Sequence, residues 1–113
     1  MLPTVHRLRT RTDFSRVMRA RSRASSGCLV VHVNSAGDAP ARLGLVIAKT
    51  VGGSVIRHRV ARRLRAVVAA RIASWPMGVD VVIRALPDAA LADLTRLGQD
   101  LDRALDRLGV TGS

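Results

Sequence analysis

The sequence predicts one mixed α/β domain with elements in the order α-β-β-(β)-α-β-α, the bracketed strand being a short one that the pattern leaves room for. Three observations carry this. Residues 28–34 and 78–85 are β-branched runs of strand length. Ile56, Val60 and Leu64 recur every four residues, which is one stripe of a helix. A leucine series, Leu91, Leu94, Leu97, Leu101, Leu105 and Leu108, keeps the same helical period near the end. The 113 residues, nearly half of them apolar, suffice for one core and are too few for two domains.

Along the chain, Pro3 opposes an early helix, so residues 1–10 are expected to be extended, with Arg7, Arg9 and Arg11 alternating. Thr12 or Asp13 can cap a helix over 13–20, which places Phe14, Val17 and Met18 on one face. Residues 22–27 read as a Ser-rich loop. The strand 28–34 has Leu29, Val31 and Val33 on one face and Cys28, Val30 and His32 on the other. Residues 35–41, with Gly37, Asp38 and Pro40, are expected to form a hairpin loop. The next strand, 42–48, turns Leu43, Leu45 and Ile47 one way, while Gly44 opposite leaves room for close approach. After a loop at 50–53, Ser54 is the expected cap of a helix running to about Ser74, where Trp75-Pro76 ends it. Its apolar stripe is Ile56, Val60, Leu64, Val67, Val68 and Ile72. His58, Arg59, Arg62 and Arg65 fall on the far side, with Arg57 and Arg63 on the flanks. Residues 78–85 read as a buried strand. Asp88, behind Pro87, is the expected cap of a core-covering helix over 88–108 whose outer faces carry Asp/Arg pairs such as Asp93–Arg96 and Asp102–Arg103.

Charge is distributed unevenly. The net charge is +11. Residues 1–71 hold fourteen Arg and one Lys against two Asp, a local +13, and residues 72–113 hold four Arg against six Asp, a local −2. Such asymmetry points to a polyanionic partner, most often nucleic acid. Five Arg fall within residues 57–65, and no acid lies between Asp38 and Asp80. Arg59, Arg62 and Arg65 recur at about one-turn spacing and line a strip roughly 10 Å long. Guanidinium groups there can each grip a phosphate bidentately. The bland alternative is a solvated basic surface. Like charges three and four residues apart cost helix stability, however, which favours a functional strip.

Catalytic chemistry is missing. His6, His32 and His58 have no carboxylate nearby in sequence, no carboxylate cluster could hold two metals, and no Walker-type glycine loop occurs. No Cys/His set has metal-ligand spacing, and Cys28, as the only cysteine, cannot form an internal disulfide. The first residues lack the apolar segment of a signal peptide, and no apolar run is long enough to span a membrane, so a cytoplasmic location without a membrane partner is expected. Phe14 and Met18 have two readings. Periodicity favours core, but the same pair could floor a groove for an unpaired base. Cys28, Val30 and His32 are open in the same way, either a second packed face or a groove lining.

These features together resemble the protein subunit of bacterial ribonuclease P over nearly the whole chain. An Arg-Leu followed by a short basic spacer and Asp-Phe stands as Arg7-Leu8 through Asp13-Phe14. A Gly-containing strand ending in a basic pair stands as Gly44 to Lys49. The family's "Arg-Asn-Arg" signature helix stands as Gly53 to Arg63. The resemblance implies a two-layer α-β sandwich with a left-handed βαβ crossover, shared with certain ribosomal proteins. It implies that a catalytic RNA carries out the reaction, removal of the 5′ leader from precursor tRNA, and that the protein, which has no catalytic residue of its own, assists in a 1:1 complex. Mg²⁺ would be held mainly by that RNA and none by the protein alone. Carried over by position, Lys49, Arg57, His58, Arg59, Arg62, Arg63 and Arg65 would bind the RNA subunit. Phe14, Met18, Val30 and His32 would line the cleft for the single-stranded leader. The chain departs from the family at His58, in the Asn slot, at Ala61, where Lys is usual, and at Thr50, in place of a second Lys. Met18 and His32 replace aromatic cleft residues, so leader binding would lean less on stacking. A general basic RNA-binding or ribosomal-type protein is the alternative; a DNA-compacting protein and a standalone nuclease are the remaining rivals.

Overall fold

Residues Val79–Ala85 (β4) are apolar at every position but Asp80 and Arg84, and a strand of that composition has to be covered on both faces. It is the central strand. The computed structural model describes residues 4–19, 22–35 and 38–110. In it β4 pairs antiparallel with β2 (Leu29–Ser35) and parallel with β3 (Arg42–Ile47). A fourth strand, β1 (Arg23–Ser26), pairs antiparallel with β2, giving the order β1-β2-β4-β3. The parallel β3–β4 pair requires a crossover, which α2 (Ser54–Ala69) supplies.

The sheet's two faces differ. Leu29, Val31, Val33, Leu43, Val81 and Ile83 meet α2 and α3 (Leu94–Arg107) in the main core, where Val60, Leu64, Val68, Leu97 and Leu101 are also buried. The opposite face carries α1 (Arg11–Arg19), which packs on β2 and β4 around Leu8, Val17 and Val82, with Phe14, Met18 and Val46 against them. The expected sandwich is therefore two helices on one face, with a short helix laid over part of the other.

Several local expectations are corrected. Residues 23–26 are not loop: they form edge strand β1, joined to β2 by a tight turn with Gly27 at φ 55. No hairpin joins β2 to β3, because β4 lies between them. Thr10, not Thr12 or Asp13, caps α1, its Oγ1 accepting from the Asp13 N–H at 3.0 Å. Ser54 is the first residue of α2; Gly53 holds the N-cap position without a side-chain bond. The helix expected to Ser74 stops at Ala69, and a 3-10 turn, Ile72–Ser74, follows. The final helix is also divided. Pro87–Leu91 is a 3-10 turn and Asp93, not Asp88, caps α3 by accepting from the Arg96 backbone N–H at 2.8 Å. That break leaves Leu91 90% exposed, outside the core-facing stripe. Asp102 pairs with Arg71 at 2.8 Å rather than with Arg103. Near the start, Thr4–His6 is a 3-10 turn rather than extended, and residues 50–53 are partly a 3-10 turn, Lys49–Val51. The expected helix end at Ala20 and the turn residue Gly37 lie outside the described residues.

Asp100 fixes the β1–β2 turn. It is 4% exposed, and its Oδ2 accepts from the Cys28 N–H at 3.1 Å and the Cys28 thiol at 3.3 Å. Burial first, and then this carboxylate, push the thiol pKa up to about 11, so Cys28 is an inert core residue. A Cβ on Gly27 would lie 2.3 Å from Asp100 Oδ2. Gly27→Ala is therefore expected to lower the unfolding free energy by about 2–3 kcal/mol, from left-handed backbone strain plus displacement of the carboxylate. Gly53→Ser, which adds the missing side-chain cap at an open position, is expected to raise it by only a few tenths of a kcal/mol. Urea unfolding midpoints of the two variants test both.

Candidate nucleic-acid interface

The basic strip is placed by the β3–α2 connection. β3 ends at Ile47, the 3-10 turn Lys49–Val51 buries Val51, and the chain enters α2 through Gly52 and Gly53. With no side-chain cap and no acid in the first turn, the helix start presents backbone N–H groups and positive dipole. Lys49, His58, Arg62 and Arg65 are exposed, while Arg57, Arg59 and Arg63 are half-buried. Three arginine pairs stand at i, i+3 or i, i+4: Arg59–Arg62, Arg59–Arg63 and Arg62–Arg65. Together they oppose helix formation by about 1 kcal/mol. Burial of Val60, Leu64, Val67 and Val68 on the opposite stripe contributes several times that, at about 1.5–3 kcal/mol per side chain. Packing therefore holds the repelling charges in register.

The structure separates these cations by role. Arg63 Nη1 donates to the Ala92 carbonyl at 3.0 Å and ties α2 to the segment before α3, so one of its donors is engaged within the fold. Arg57 Nε and Arg59 Nε are buried and have no acceptor among the described residues. Arg7, beyond the helix, joins the group through the chain start. Leu8 N–H donates to the Leu43 carbonyl at 2.9 Å and His6 Nδ1 to the Ala41 carbonyl at 2.6 Å, and with them Arg7 lies along β3. Arg7, His58, Arg62 and Arg65 line one common cavity.

On the second sheet face the register places His32 between Arg23 and Val82, and Val30 between Ser25 and Arg84. Gly44 and Val46 complete these rows on β3. Phe14 lies against Gly44 so closely that a Cβ there would come within 2.5 Å of the ring, so the close approach expected at Gly44 is made by Phe14. The start of α1 is tied down electrostatically. Arg42 donates to both Asp80 oxygens at 2.9 and 2.8 Å and lies 3.5 Å from Asp13. The Asp80 hydrogen bonds raise the Arg42 pKa. Phe14, Met18, Val30 and His32 thus share one face of the sheet, although Phe14 is half-buried and serves also as packing.

His32 is the unusual member. It is 2% exposed, and neither ring nitrogen has a hydrogen-bond partner among the described residues. Burial, then the charges of Arg84 and Arg23, lower its pKa. Arg23 and Arg84 were not legible as neighbours of His32. Arg84 stands in a nearly continuous apolar run, and Arg23 in a segment that reads as loop. A larger groove, about 680 Å³, lies between the end of α2 and α3, with Arg71, Trp75, Asp102 and Asp106 among its lining. Its two acids and the Arg71–Asp102 pair make it a poor fit for a polyanion.

Comparison with known proteins agrees with this architecture. The family model described as Ribonuclease P matches residues 2–109. The ribonuclease P protein component of Streptomyces avermitilis is 48% identical over 117 residues, covering 96% of this chain and 95% of that one. The ribonuclease P protein component of Acidothermus cellulolyticus is 42% identical over 113 residues, covering 98% and 94%. The chain belongs to the ribonuclease P protein family. Its role is in 5′ processing of tRNA, as a ribonuclease P subunit. The fold agrees. A mutant RNase P protein of Staphylococcus aureus superposes with a TM-score of 0.84 at 20% identity, covering 94% of this chain and 90% of that one. The RNase P protein of Thermotoga maritima superposes with a TM-score of 0.75 at 23% identity, covering 86% and 92%. Among the described residues no helix is long and apolar enough to cross a membrane.

The depressed His32 pKa fixes the sign of a pH effect in this ribonuclease P protein. A histidine buried neutral contributes stability that is complete above the unfolded value of 6.5. That contribution is lost as pH falls below it, because the unfolded chain takes up the proton first. The unfolding free energy is expected to decline from pH 7 to pH 5, with this residue adding at most about 1.4 kcal/mol per pH unit. Urea unfolding against pH checks this, and His32→Leu should flatten the profile. NMR titration should place the His32 midpoint below 6.5.

Proposed function

We propose that the chain binds the catalytic RNA of ribonuclease P through the start and outer face of α2, and the 5′ leader of precursor tRNA through the face beneath α1. The observation that carries the first half is the strip of Lys49, Arg57, His58, Arg59, Arg62 and Arg65, which begins at an uncapped helix N-terminus. Phosphate is the ligand that such N–H groups and guanidinium forks accept together. The second half rests on Phe14, Met18 and Val30, half-buried on one face beside the exposed Arg23 and Arg84, with the buried His32 set behind them. Apolar and ring surfaces flanked by cations suit an unpaired strand.

Catalysis is assigned to the RNA, with the protein contributing charge and a leader groove in a 1:1 complex in the cytoplasm. The protein alone does not cleave. Mg²⁺ is assigned to the RNA side. Arg63 would add long-range charge, because part of its guanidinium is committed to Ala92.

Reconstitution tests the proposal. Added to a bacterial ribonuclease P RNA at low Mg²⁺, the chain is expected to raise cleavage of 5′-extended precursor above that of RNA alone, and to bind that precursor more tightly than mature tRNA. No rise, equal binding of the two, or cleavage without any RNA subunit would each overturn it. Arg59→Ala combined with Arg62→Ala is expected to weaken binding to the RNA subunit. It should also flatten the log–log salt dependence by about 0.7–0.9 per lost phosphate contact. Filter binding across a salt series reads both quantities.

A further inference from the structure

Beside the phosphate-facing strip, α2 and the edge of β3 enclose a cavity of about 260 Å³. Leu45, Ile47 and Ala61 supply its apolar lining, and Ser54, Arg57, His58 and Arg65 its polar one. Three observations make this more than a crevice in a basic surface. Ala61 is buried and carries only a methyl group, so the helix approaches β3 without filling the space between them. Arg57 Nε, at the cavity, is buried and has no acceptor among the described residues. His58 lines both this cavity and the neighbouring one of about 490 Å³ that holds Arg7 and Arg62, so its ring stands where the two meet.

A cavity with an apolar lining, a ring beside it and guanidinium groups around it has one fitting polyanionic occupant. A phosphate alone would leave the apolar lining unmatched. A paired helix is too wide to enter. A single unstacked base can pack against Leu45, Ile47 and Ala61 and stack on His58. Its own phosphates would then reach Arg65 on one side and Arg62 on the other, with an acceptor on the base or sugar meeting Arg57. We infer that the slot between α2 and β3 takes one extruded nucleobase of the RNA subunit, with His58 as its stacking partner. This rests on RNA binding by α2 as proposed above. It adds that the contact reads an unpaired nucleotide as well as backbone charge.

Binding of the full chain to ribonuclease P RNA, measured across a salt series, is the test. Ala61→Leu fills the slot and leaves charge unchanged. His58→Ala removes the ring, and His58→Phe restores a stacking face without nitrogen donors. Both Ala61→Leu and His58→Ala are expected to weaken binding roughly 5- to 100-fold, the size of a lost base stack, with no change in salt slope. His58→Phe is expected to bind within a few-fold of the natural chain. His58 is exposed, so its variants keep the test decisive even if Ala61→Leu does not fold. Unchanged affinity in His58→Ala, a His58→Phe variant as weak as His58→Ala, or a loss appearing only as a shallower salt slope would overturn the inference. Failure of the natural chain to bind the RNA at all would instead overturn the function proposed above.

Discussion

The parallel pairing of β3 with β4 is the constraint on which the rest depends. A parallel neighbour cannot be reached by a tight turn, so the chain leaves β3 and returns through a helix. That helix is α2. Its first turn is thereby set beside the end of β3, and its basic face along the sheet edge. With β4 buried in the middle, one sheet face is given to α2 and α3, and the other is left for α1.

Two surfaces of different chemistry result. The α2 surface is dominated by guanidinium groups held together against their own repulsion by the apolar stripe behind them. The face beneath α1 is mainly apolar, with a buried neutral histidine between two arginines. They are not isolated from one another. Arg65 lies on the α2 strip and also lines a small cavity with Leu8, Phe14 and Gly44, which belong to or border the α1 face. RNA bound along α2 and a leader under α1 would thus pass close to the same arginine.

The acidic last third has a structural use. Asp100 holds the β1–β2 turn, Asp93 caps α3, and Asp102 pairs with Arg71. Asp80 does similar work on the other side, binding Arg42 and so supporting the start of α1 through Asp13. Their ion pairs are with Arg42, Arg71, Arg96 and Arg103, not with the arginines of the α2 strip.

Local pattern carried much of this. The period-four stripe of α2, the β-branched strands and the acid-free stretch from Asp38 to Asp80 are properties of neighbours along the chain, and they identified the helix, its basic side and the buried strand. The short edge strand at Arg23–Ser26 was not legible, since a Ser-rich segment becomes a strand only when β2 is there to pair with it. Nor was the break before Asp93, because Pro87 and the leucine period suit one continuous helix equally well. The hairpin expected at 35–41 failed because a loop between two strands looks alike whether they pair or admit a third between them. The sequence by itself settled which side of α2 is positive and that Phe14, Val17 and Met18 share a face. Only the tertiary structure decided that Arg23 and Arg84 flank His32, that Arg63 is turned to Ala92, and that His58 and Ala61 border one slot. Those relations join residues far apart in the chain, and long-range packing, not propensity, brings them together.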